Sequence, residues 1–143
     1  MNTFTTDKIG RIVVIHLKKG DDLLPSVQSE LGRLGIKDGV LVSAIGSLRK
    51  ASLHGIVTTE DLPTNEYYTY ENPIELGNAQ GLILNGEPHF HLTVTEPSGT
   101  FSGHMEPGCI VQYLAELVII ELPNLELTRK PDEFGISYIS EKD

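Results

Sequence analysis

Only one stretch of this chain, roughly Asp22 to Leu34, carries the three- and four-residue recurrence of apolar side chains that a helix needs. Leu23, Leu24, Val27, Leu31 and Leu34 form its stripe; Asp21 can cap it, Pro25 falls in the first turn, and Gly35 supplies the stop. Elsewhere the apolar residues come in short, β-branched runs cut by glycine and proline. One helix among many strands leaves an α+β architecture: a mainly antiparallel sheet or partial barrel whose core face is covered by the apolar stripe. At 143 residues the chain has the length of one domain, spanning 1–143, with enough apolar content for one core.

The strand readings are Arg11 to Leu17, Val40 to Ile45 and Ala51 to Thr58 around a Gly46-containing turn, Leu82 to Leu84, His89 to Thr95, Thr100 to His104, and Ile110 to Leu122. The last could pass for a helix by length, but its valine and isoleucine content and the closing Pro123 favour a strand. Thr59 to Asn72 is polar and tyrosine-bearing and reads as a loop, a lid or an oligomer contact.

The most informative run is Glu87-Pro88-His89-Phe90-His91-Leu92-Thr93-Val94, followed by a Pro97-Ser98-Gly99 turn and Thr100 to His104. Side chains alternate along a strand, so His89, His91, Thr93 and Thr95 share one face while Phe90, Leu92 and Val94 share the other. A hairpin loop with an even number of residues sets His104 directly opposite His91, with Cβ atoms roughly 5 Å apart. An odd loop sets it opposite Phe90 and aims it at the core. The even register also sends Ser102 to the polar face and Phe101 to the apolar one, so residue chemistry favours it.

Three imidazoles on one face suit three corners of a tetrahedron, with a fourth left open for water or substrate, and zinc or another divalent transition metal is the expected ion. Glu87 shares the parity of His89 and is the candidate catalytic carboxylate, fourth ligand or partner of a ligand. The aim of Glu106, just past the strand, is open. The same histidines would also suit an ordinary half-exposed strand. His16 and His54 stand alone in sequence and read as packing or surface residues, and Cys109 reads as a small buried hydrophobe.

One cysteine excludes an internal disulfide and a multi-cysteine zinc site. A formal charge of −9, from 20 acidic and 11 basic residues, disfavours nucleic acid, which is bound chiefly through lysine and arginine on phosphates. No apolar run reaches the ~20 residues of a membrane span. The first residues also lack a signal-peptide segment, so the expected location is cytoplasmic.

Several ordered segments make the sequence resemble the PPC (plants and prokaryotes conserved) domain family. They are Gly20-Asp21-Asp22-Leu23-Leu24, Gly39-Val40-x-Val42-Ser43-Ala44-Ile45-Gly46-Ser47-Leu48, Pro73-Ile74-Glu75-Leu76, Gly86-Glu87-Pro88-His89-x-His91, Gly103-His104 and Ala115-Glu116-Leu117-Val118-Ile119. The resemblance implies a homotrimer assembled through sheet edges and, more remotely, the fold of acetolactate decarboxylase, whose zinc is held by histidines in a similar strand-turn-strand pattern. It would carry ligand roles onto His89, His91 and His104. Plant members join this domain to AT-hooks and act on chromatin, but generally lack the histidines; this chain has the histidines and no such hook. Two functions follow as expectations: a metal-dependent protein acting on a small molecule as a hydrolase or lyase, or a non-enzymatic module that binds DNA or a protein partner.

Overall fold

The computed structural model describes residues 1–142. β1 (Ile12–Lys18) leads to α1 (Leu23–Leu34), then to β2 (Gly39–Ile56), β3 (Asn65–Tyr70), β4 (Ile74–Leu84), β5 (Glu87–Glu96), β6 (Gly99–Met105) and β7 (Ile110–Glu121). A separate hairpin, β8 (Leu127–Pro131) and β9 (Ser137–Glu141), follows. All strand pairings among the described residues are antiparallel. The expected α+β class and the partial barrel are both present.

The long strand β2 closes the ring. Its first part, Gly39 to Leu48, pairs with β4 on one side and β7 on the other, and its last part, Ala51 to Ile56, pairs with β3 and β6. The sheet therefore runs β1-β7-β2-β4-β5-β6 and returns through β6 to β2. A turn at Gly46 was the sequence expectation; instead the strand continues through it with register shifts against β7. Glycine stands there because a Cβ would lie 2.4 Å from the Leu114 carbonyl oxygen, so it marks close backbone approach within a bulged strand. The Thr59 to Asn72 loop likewise contains β3, whose Glu-Tyr-Tyr-Thr-Tyr run gains its partner only from the far half of β2. β4 begins eight residues before the expected Leu82.

Inside the ring, Leu41, Leu53, Ile83, Phe90, Leu92, Met105, Leu117 and Ile119 are all at most 2 % exposed and form one core with the helix. Leu23, Val27 and Leu31 are the helix residues driven into it, and full burial of each contributes roughly 1.5–3 kcal/mol. Asp21 does not cap the helix. Asp22 occupies that position without a side-chain capping bond, its carboxylate accepting instead from the Gly108 amide at 2.7 Å. Gly35 terminates the helix at φ 69°, as its sequence position implied.

Candidate metal centre

The hairpin register decides which histidines meet. Pro97 and Ser98 form a two-residue loop between Glu96 and Gly99, and the ladder then sets His91 against His104, Thr93 against Ser102 and Val94 against Phe101. Glu96, 7 % exposed, holds the turn by accepting from the Ser98 hydroxyl and from Asn72 Nδ2. The even register expected from residue chemistry is the one formed.

Cross-strand partners share a face, so the ladders extend two rows across the outside of the ring. One row reads Tyr67, His54, His104, His91, Gln80, from β3 through β2, β6 and β5 to β4. Its neighbour runs His89, Leu82, Val40, Ile120, Ile12, from β5 through β4, β2 and β7 to β1. His89 and His91 stack with ring centroids 5.4 Å apart, and His104 meets them edge-on at 4.7 Å and 5.5 Å. One ring nitrogen from each of the three lies within 4.8 Å of the others. In a tetrahedral shell with Zn–N bonds of ~2.1 Å the nitrogens stand about 3.4 Å apart, so closing the trio on an ion draws each pair together by at most about 1.4 Å. The donor set fits a first-row divalent ion.

Protonation favours the same fit. Burial pushes the His104 imidazole down to about 4, helped by the positive charge that His89 and His54 would carry. Burial also lowers His89, with the Arg129 guanidinium adding to the effect. Neutral imidazoles offer the lone pairs that metal binding needs.

Two glycines let the strands come together here. A Cβ on Gly81 would sit 2.0 Å from the His89 carbonyl oxygen, and one on Gly103 would sit 2.7 Å from that of His54. A side chain at Gly81 would push β4 off the histidine-bearing β5, and one at Gly103 would part β6 from β2.

His54, read from sequence as isolated, lies opposite His104 with ring centroids 4.5 Å apart, and its Nδ1 is 2.6 Å from Glu106 Oε1. His54, His104 and Glu106 thus form a second cluster that shares His104 with the first. The signal was missed because it rests on the β2–β6 pairing that closes the ring, not on local spacing. Glu87 is exposed at the start of β5, outside both clusters, and its charge acts on Arg129. Cys109 is fully buried, its thiol pushed up to about 11 by burial and exchanging hydrogen bonds with the Ser52 backbone, so the sequence reading of it holds. His16 faces Glu116 at 3.7 Å on the surface.

The β8–β9 hairpin lies beside this face, with β8 against β4. Its Arg129 and Ile139 form one wall of a cleft of about 510 Å³ that also contains His89, His91, Gln80 and Leu82. A larger groove, about 840 Å³, separates α1 from β1 but contains none of the three histidines; donor chemistry, not size, selects the smaller cleft.

Residues 4–123 match the Plants and Prokaryotes Conserved (PCC) domain. The chain belongs to that family. It is 29 % identical over 123 residues to the bifunctional protein GlmU of Synechococcus sp. (strain JA-3-3Ab), but spans only about a fifth (19 %) of that relative's length. Among solved structures, the metal-containing protein AF0104 from Archaeoglobus fulgidus superposes with a TM-score of 0.82 at 20 % identity, covering 99 % of this chain and 100 % of the other. A protein from Bacteroides thetaiotaomicron, named as a candidate for DNA binding, matches with a TM-score of 0.78 at 18 % identity, over 97 % and 98 % of the two chains. The fold is also shared with α-acetolactate decarboxylase from Bacillus subtilis, at TM-score 0.56 and 12 % identity, over 83 % of this chain and 53 % of the enzyme.

Proposed function

We propose that this chain holds a divalent transition metal, with zinc the best match to the nitrogen donors, on His89, His91 and His104, and acts on a small molecule there as a hydrolase or lyase. The observation that carries the reading is the approach of three imidazole nitrogens to within 4.8 Å of one another on one sheet face. The metal-containing relative in Archaeoglobus fulgidus supports it. Bound at such a site, a zinc ion supplies a Lewis acid that polarises a carbonyl or lowers the pKa of a water towards ~7.

The chain's own residues have separate tasks. His89 and His104, held neutral, bind; Gly81 lets β4 approach the strand of His89, and Gly103 lets the strand of His104 approach β2. Glu106 orients His54 through the 2.6 Å contact, and His54 in turn packs on His104. Glu87, exposed on the face of His89, is the carboxylate proposed to carry a proton to or from the small molecule. Assembly as a homotrimer is part of the same reading. It rests on the family resemblance and on the exposed apolar row at the β1 edge, where Ile12 and Val14 are 68 % and 69 % exposed.

Substituting His104→Ala should abolish retention of zinc while far-UV circular dichroism stays that of the parent. Unchanged metal content by elemental analysis would reject the site. The alternative, a module that binds DNA or a protein, draws on the description of the Bacteroides relative and is opposed by the charge of −9. Retardation of mixed duplex DNA with a steep salt dependence would favour it. Among the described residues no helix is long and apolar enough to cross a membrane.

A further inference from the structure

The chain has almost twice as many acidic as basic residues, yet no aspartate or glutamate lines the cleft beside the histidines. The charged side chain in its wall is Arg129. That residue lies in β8, beyond the segment matched by the family. Among the described residues its guanidinium makes no hydrogen bond or ion pair, and it is partly buried. Glu87 is the acidic group whose charge reaches it, without a contact. A planar fork of N–H donors left unpaired in a concave wall fits one kind of occupant, an oxyanion taken two-pronged.

The rest of the cleft narrows the class. Val40 and Leu82 are neighbours in one row of the floor, and Ile139 is the ladder partner of Arg129 on the hairpin. Gln80, the partner of His91, adds a neutral amide. A volume of about 510 Å³ is within the range of small-molecule sites. The geometry points to a small carboxylic acid with an apolar tail as the ligand of this cleft: Arg129 takes the carboxylate, the tail lies on Val40, Leu82 and Ile139, and a polar atom near the carboxylate faces the three histidines. The last part rests on the metal reading; the pairing with Arg129 does not.

The test is calorimetric titration of the zinc-supplemented full chain with 2-hydroxyhexanoate and with hexane-1,2-diol, which differs by replacement of the carboxylate with a neutral alcohol. The acid should bind at least tenfold more tightly than the diol. Arg129→Gln should erase that preference without changing zinc content, and Arg129→Lys, which keeps the charge but loses the fork, should retain part of it. Equal affinity for acid and diol, or a preference untouched in both folded variants, would overturn the inference, as would binding of inorganic phosphate in preference to the acid. If the wild-type chain retains no zinc, the metal reading fails separately. The Arg129 assignment is then upheld by an Arg129-dependent preference for the acid in chelator-treated protein, and overturned by its absence.

Discussion

Gly81→Ala is the substitution that most directly couples this fold to its site. The new methyl would stand 2.0 Å from the His89 carbonyl oxygen and 3.0 Å from the Phe90 Cα, both of them backbone atoms that no rotamer change can move aside. Ordinary contact needs about 3.4 Å, so β4 and β5 must separate by roughly 1.4 Å between the Gly81–Phe90 and Leu82–His89 pairs. Overpacking of this kind costs about 1–3 kcal/mol, and a stretched ladder hydrogen bond adds about 1 kcal/mol. We therefore expect urea unfolding to show a loss of about 3 kcal/mol. Displacement of His89 from His91 and His104 by more than 1 Å should also weaken zinc at least tenfold, read by competition with a chromogenic chelator. A variant within 0.5 kcal/mol of the parent, with undiminished zinc affinity, would refute the close approach of these strands and the placement of His89 built on it.

Other consequences can be checked more briefly. Metal-free protein should lose stability as pH falls from the unfolded histidine value near 6.5 towards the folded value of about 4 for His104, because the unfolded chain takes up the proton first. Discounted for partial solvent exposure, the loss is about 2 kcal/mol, and it should shrink in His104→Gln when both are unfolded in urea at pH 7 and pH 4.5. His54→Ala removes the hydrogen-bond partner of a partly buried carboxylate, so it should cost about 1–2 kcal/mol in the same assay, and Glu106→Gln, which can still bond to His54, should cost less. Phe90→Ala empties the centre of the ring and should cost about 3–5 kcal/mol by thermal or urea unfolding, with any smaller loss marking a looser core than this packing implies.

What could be read from sequence was what local periodicity records. The helical stripe of Leu23, Val27 and Leu31, the alternation from His89 to Val94, and the parity of a two-residue loop each follow from the geometry of one element or one hairpin, and each is present. What could not be read depends on partners distant in the chain. Gly46 looks like a turn residue until β7 is laid against it, and Asn65 to Tyr70 looks like a loop until the far half of β2 supplies its ladder. His54 failed for the same reason: its neighbours His104 and Glu106 are some fifty residues away and arrive only when β6 closes onto β2. The β8–β9 hairpin, with Arg129, has short strands and modest apolar content, and no period in the sequence announced it.

The central claim is that one ion is shared by His89, His91 and His104, and X-ray absorption at the zinc edge of the metal-loaded protein tests it most directly. The account predicts a shell with three imidazole nitrogens at ~2.0–2.1 Å, reduced to two in His104→Ala should that variant retain any metal. A sulfur scatterer at ~2.3 Å, or a shell of oxygens without imidazole signature, would contradict it.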